Sequence, residues 1–184
     1  SLGGENGEMT RAATTALAFG LALAAGPAAA QALSQAEVLQ LAKDACKAKD
    51  FSLMFGYFAQ NDSVRAALTA PEIQIRSLAR PGQIQRMVKG AEYRDFKIAM
   101  IDYSFFDAES ADRFDAGQSE ALEALKLDIT EEPGGAYRVT YVKAEYGPPG
   151  EDEEYGELIR TYGQPGAYLF EPRDGCWQLT QDFR

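Results

Sequence analysis

Three patterns of hydrophobic and polar positions follow one another along the chain. Residues 12–25 form an apolar run with no polar face, closed by Gly26-Pro27. From Ser34 the period becomes helical. Val38, Leu39, Ala42, Ala45 and Cys46 recur at helical spacing behind a Ser34-x-x-Glu37 capping box, predicting a first helix over 34–49. Asp50 can cap a second helix carrying Phe51, Met54, Phe55 and Phe58, and 64–68 adds a short helical turn before Pro71. The Phe51, Phe55 and Phe58 stripe reads as the core face of that helix rather than a ligand-facing row.

Beyond Pro71 the period falls to two. Ile73 and Ile75 alternate with Gln74 and Arg76, and Arg80-Pro81-Gly82 turns the chain into a partner strand over 83–89. A short helix using Ile84, Met87 and Val88 competes for that last segment. Residues 96–106 read as one long strand, 107–120 as a polar loop or short helix, and 125–130 and 137–141 as strands joined at Pro133-Gly134-Gly135. Strands at 157–162, 168–171 and 176–183 complete the pattern, the last with Trp177, Leu179 and Phe183 on one face. Helices followed by strands predict an α+β domain, with the N-terminal helices packed on a curved, mostly antiparallel sheet of five to six strands.

The first 32 residues read as an address. Met9-Thr10-Arg11, the apolar run and small residues up to Ala32 give the order of a secretory signal peptide, with cleavage expected after Ala32. The run is short for a bilayer span, and Leu33 in place of cysteine supplies no lipid anchor. Residues 1–8 read as material ahead of the initiator Met9, and 33–184 as a single periplasmic or secreted domain. Cys46 and Cys176 both fall in that domain and in an oxidising compartment pair most simply as one disulfide, tying the first helix to the last strand.

Charge narrows the chemistry. A net charge of −10 gives no electrostatic hold on nucleic acid or anionic lipid. The chain has no histidine, which excludes Ser-His-Asp and Cys-His machinery and His-ligated metal. No cofactor or metal is expected. Asp107, Glu109, Asp112 and Asp115 fail the spacing of a calcium loop and read as a solvated polar segment. The run from Glu151 to Glu154 is a solvated loop or a patch for a basic partner protein. Asp102 and Tyr103, inside an otherwise apolar strand, are the weak catalytic candidates: a carboxylate on an apolar face could act as a base beside a phenolic proton donor. Tyr137, Tyr141 and Tyr168, on strands in a tyrosine-rich C-terminal half, are candidates to line a pocket by ring stacking.

The order of helices and hairpins, ending in Gly175-Cys176-Trp177-Gln178-Leu179, resembles the nuclear transport factor 2-like superfamily, a cystatin-like α+β cone. The segments 49–70, 96–107 and 168–183 carry the likeness and are similar to secreted bacterial members of uncharacterised function. The superfamily holds enzymes such as ketosteroid isomerase and scytalone dehydratase alongside ligand-binding and protein-binding domains. No catalytic signature comes with the layout, and the missing histidine speaks against a dehydratase. The resemblance therefore implies a non-catalytic domain binding a small apolar or aromatic ligand in a cone-shaped pocket. An isomerase or hydratase using Asp102 and Tyr103, and an acidic protein-interaction or inhibitor domain, are the alternatives. Assembly as a homodimer is left open.

Overall fold

The computed structural model describes residues 32–119, 121–151 and 156–184; the signal-like segment up to Gln31 and the acidic residues Asp152, Glu153 and Glu154 lie outside them. The helices start where their caps say they should. In α1, Gln35–Lys47, the Ser34 side chain accepts from the Glu37 N–H while the Ser34 N–H donates to Glu37, so both arms of the capping box are made. Asp50 accepts from the Leu53 N–H at 2.9 Å to open α2, Phe51–Gln60. Between them the chain reverses at Lys49, whose φ of 59° is left-handed. In α3, Asp62–Ala67, Arg65 donates to the carbonyls of Phe58 and Ala59, closing the end of α2.

Six strands form one sheet in the order β2-β1-β8-β7-β6-β5, and two more, β3 and β4, pair as a separate hairpin. Their ranges are β1 Thr69–Arg76, β2 Ile84–Lys89, β3 Ile98–Ile101, β4 Ser104–Asp107, β5 Leu125–Glu132, β6 Ala136–Tyr146, β7 Leu158–Arg173 and β8 Cys176–Phe183. All neighbours are antiparallel except β1 and β8, which run parallel, so the sheet is mixed. The segment over 83–89 is a strand, paired with β1, and not a helix. Pro71 sits within β1 rather than before it. The ladder to β8 is interrupted between Thr69 and Gln74, so the missing proline N–H leaves no bond unmade.

Three strand expectations need correction. Residues 96–106 are not one strand: Asp102 and Tyr103 both take positive φ, 46° and 65°, and form the two-residue turn between β3 and β4. The segments at 157–162 and 168–171 are one strand, β7, continuous through a bulge at Gly163-Gln164-Pro165 that opposes the single residue Val142. In β8, Leu179 opposes Phe170 but Gln181 opposes Leu169, leaving Thr180 as an extra residue. That bulge reverses the alternation. Trp177 and Leu179 face the helices, Phe183 turns to the outer face beneath Arg138, and Asp182 turns inward opposite Tyr168.

The core lies between α2 and the inner face of the sheet. Phe55 and Phe58 are fully buried and meet Phe170 edge-on, with ring centroids 5.7 and 5.0 Å away. Phe51 stacks on Tyr137 at 4.2 Å and meets Trp177 edge-on. Such aromatic pairs add about 0.5–1.5 kcal/mol each beyond area burial. The Phe stripe is core. Over most of its length the face between helices and sheet is therefore filled rather than hollow.

Cys46, 1% exposed on α1, bonds to Cys176 at the start of β8 with Cα atoms 4.9 Å apart. The bond closes nearly the whole domain, and a native bridge of this kind typically contributes about 2–4 kcal/mol. The double variant Cys46→Ser/Cys176→Ser is expected to melt about 5–15 °C below the oxidised protein in calorimetry. An unchanged melting temperature would show that the thiols act only as two small buried apolar groups.

Candidate functional site

The β8 bulge builds an unusual feature at the C-terminal end of that strand. Asp182 is 1% exposed and faces the tyrosine opposite it, Tyr168, which is fully buried. Its donors come from two further places. Tyr93 follows a one-turn 3-10 helix, Gly90–Glu92, and donates its hydroxyl to Asp182 Oδ2 at 2.6 Å. The turn can press onto β1 only because residue 90 is glycine: a Cβ there would lie 1.9 Å from the Ala70 carbonyl oxygen. Arg184 donates to the same Oδ2 through Nη2 at 2.6 Å and Nε at 3.1 Å, and through Nη1 to Asp95 at 3.0 Å.

The Tyr168 hydroxyl accepts from the Lys97 N–H at 2.8 Å and donates to the Asp95 carbonyl at 3.4 Å. Tyr141 stacks on the Tyr168 ring, centroids 5.3 Å apart and planes within 15°. Gly166 makes that possible, since a Cβ there would fall 2.3 Å from the Tyr141 hydroxyl. All of Tyr93, Tyr141, Tyr168 and Asp182 are thus fixed by packing. One atom is not satisfied: Asp182 Oδ1 is buried and has no hydrogen-bond partner. An acceptor left this way costs about 1–3 kcal/mol and calls for a reason.

The electrostatics keep the phenols protonated. Burial first, and the Asp182 charge second, push the Tyr93 phenol far above its ordinary value. Burial also raises Tyr141 and Tyr168, and the Tyr168 hydroxyl interacts with those of Tyr93 and Tyr141. The hydrogen bonds that Arg184 donates to Asp182 raise Arg184, and the one it donates to Asp95 lowers Asp95. The Tyr93 and Tyr168 protons and the Arg184 guanidinium are all directed at Asp182 Oδ2 and at Asp95, and among the buried side-chain atoms of the described residues only Asp182 Oδ1 has no hydrogen-bond partner.

A second feature lies at the other end of β8. A cleft of about 490 Å³ is bounded by Cys46 and Lys49 at the end of α1, the β5–β6 turn at Glu131 and Gly135, and the β7–β8 turn over 172–175. Tyr137 and Trp177 form its aromatic wall, with the Trp177 Nε1–H donating to the Gly135 carbonyl at 2.8 Å.

The sequence candidates fall in different places. Tyr137 lines the cleft, whereas Tyr141 and Tyr168 belong to the buried cluster, so the three do not share one cavity. Asp102 and Tyr103 are exposed at the β3–β4 turn, Tyr103 by 81%, because the chain reverses there instead of continuing along an apolar face. Asp107 caps α4, Ala108–Asp115, and Glu109 pairs with Arg113 in the same helix. Among the described residues no group of three or more His, Cys, Asp or Glu is placed to hold a metal, and no helix is long and apolar enough to cross a membrane. Asp182, Tyr93 and Arg184 were not among the sequence candidates. Plain alternation puts Asp182 on the outer face, and only the bulge brings it in.

Helices followed by a bent, mixed six-stranded sheet wrapped against them are the layout that the sequence resemblance implies. The described residues form an α+β domain of helices followed by a curved, mixed sheet of six strands. No family model and no curated protein matches the chain. Solved structures similar to it include a proposed polyketide cyclase from Pseudomonas putida KT2440, 13% identical, covering 83% of this chain and 90% of that one, with a TM-score of 0.28. Another from Xanthomonas campestris is 16% identical over 81% and 87%, TM-score 0.28. A nuclear transport factor 2-like protein of unknown function from Shewanella oneidensis MR-1 is 14% identical over 80% and 93%, TM-score 0.29. An α+β fold by itself chooses neither ligand binding nor catalysis.

The protonated phenols make a stability prediction. A phenol with a raised value stabilises the fold fully below the unfolded tyrosine value, about 10, and that contribution is lost as pH rises past it. In alkaline titration followed at 295 nm, three of the nine tyrosines, Tyr93, Tyr141 and Tyr168, should ionise only as the protein unfolds. All nine ionising smoothly in the folded protein would contradict the packing described. Gly166→Ala should destabilise by about 1–3 kcal/mol in urea unfolding, and by much less in a Tyr141→Ala background, since the clash is with that ring.

Proposed function

We propose that this is an exported, non-catalytic domain that binds a small, mostly apolar or aromatic molecule carrying a hydroxyl or N–H donor, received by Asp182 Oδ1. The vacant, buried Oδ1 carries the reading, because protein groups already fix the other oxygen of that carboxylate and leave this one aimed at nothing. The surroundings suit such a molecule. Tyr141 and Phe96 flank Tyr168 with their rings and are only partly covered, so an aromatic body would find stacking partners next to the acceptor. Export is supported by the signal-like order of residues 9–32 and by the disulfide. The isomerase or hydratase reading built on Asp102 and Tyr103 lacks the enclosed carboxylate that it requires.

The test uses native mass spectrometry for a co-purifying molecule and a thermal-shift series of substituted phenols and indoles against wild type and Asp182→Asn. The asparagine keeps the shape and can place an N–H where the acceptor was. Wild type should bind members of the series, and the variant should bind them about tenfold or more weakly, the worth of a charge-assisted hydrogen bond. The reading fails if no member binds, or if binding is equal in both proteins. It also fails if a high-resolution structure shows Oδ1 satisfied by a buried water that no ligand displaces.

A further inference from the structure

The cleft at the disulfide end is separate from the Asp182 cluster and carries its own set of unspent interactions. Its rim holds two cations, Lys49 and Arg173, and two carboxylates, Glu131 and Asp174, all exposed. Among the described residues none of the four makes an ion pair; Asp174 accepts only a long bond from Gln178, at 3.4 Å. Charges of both signs therefore ring one concavity without neutralising one another. Between them the floor is apolar: the Cys46–Cys176 disulfide, Pro172, Tyr137 and Trp177.

Lys49 adds a second, independent observation. It takes the left-handed backbone that glycine prefers at a helix end, φ 59°, so local stability argues against a lysine there. Residues in such sparsely populated backbone regions cluster at ligand clamps and other functional sites. The balanced rim disfavours a simple anion, which would meet Glu131 and Asp174, and a simple cation, which would meet Lys49 and Arg173. A ligand with both charges satisfies all four. The volume, about 490 Å³, is in the range of small-molecule sites.

We infer that this cleft is a binding site for a small zwitterion with an apolar or aromatic body, the chemistry of a free amino acid. The carboxylate lies among Lys49 and Arg173, the ammonium among Glu131 and Asp174, and the body rests on Tyr137 and Trp177.

Trp177 is the chain's single tryptophan, so its emission reports on this cleft alone. The probe is L-phenylalanine, titrated with excitation at 295 nm, against 3-phenylpropionate and phenethylamine, which each lack one charge. Saturable change with L-phenylalanine, and binding about two- to five-fold weaker for either half-ligand, is the expected result, as partly exposed ion pairs warrant. Arg173→Gln and Glu131→Gln, both on the surface, should each weaken L-phenylalanine binding by a similar factor. Lys49→Gly is the sharper variant. It suits the left-handed backbone and should keep or raise the melting temperature while still weakening binding. No saturable emission change up to tens of millimolar overturns the inference, as does equal binding of 3-phenylpropionate, or binding untouched by all three substitutions. Asp182→Asn should leave this titration unchanged, so failure here and failure at the Asp182 cluster are read separately.

Discussion

A carboxylate held at 1% exposure must find donors inside the protein, and Asp182 collects them from segments far apart in the chain. Tyr93 arrives from the 3-10 turn against β1 and Arg184 from the end of the chain, while Tyr168 on the neighbouring strand faces Asp182 and bonds the 95–97 segment with its hydroxyl. Arg184 in turn holds Asp95, whose carbonyl meets the Tyr168 hydroxyl. Loss of one partner from such a buried arrangement costs about 3–5 kcal/mol, so the register of β8, the seat of the 3-10 turn and the chain terminus are bound together. The Gly90 and Gly166 contacts then follow as conditions for bringing two tyrosines close enough.

The two ends of β8 are held by different physics. At Cys176 the disulfide and the Phe51, Tyr137 and Trp177 rings fix α1 and α2 to the sheet through covalent and dispersion contacts, which tolerate wet, open surroundings. At Asp182 the fixing is polar and depends on exclusion of water, since a low local dielectric strengthens each hydrogen bond and raises the cost of any left unmade. An open cleft is therefore compatible with the first end, and a closed, buried hydrogen-bond network with the second.

Much of the fold was legible because its signals are local. Ser34 and Glu37, and Asp50, sit where capping demands them; Pro133-Gly134-Gly135 marks its hairpin; and two cysteines in a domain with an export-like leader made the Cys46–Cys176 pairing the simplest expectation. What escaped was non-local. The extra residue at Thr180 exists only relative to its partner strand, so nothing in Leu179-Thr180-Gln181-Asp182 announces that Asp182 faces inward. The Asp102-Tyr103 turn was hidden for a related reason: tyrosine is a poor turn residue by propensity, and the pairing of Ile101 with Ser104 overrides it. Of the tyrosines expected to line one pocket, Tyr141 and Tyr168 stack on each other in the buried cluster and Tyr137 lies at the cleft, while the acid beside the first two had no signal in the sequence.

That asymmetry bears on what the cluster is for. A purely structural solution at this end of the sheet would be apolar, because replacing a buried ion pair by well-packed hydrophobic side chains is often neutral or stabilising by about 1–4 kcal/mol. Instead the chain carries a bulge, two glycines in close approach and a buried acid with one oxygen unused. Specificity of packing could explain a fully satisfied network, since each member would then define the position of the next. It does not explain the vacant oxygen, which positions nothing in the protein.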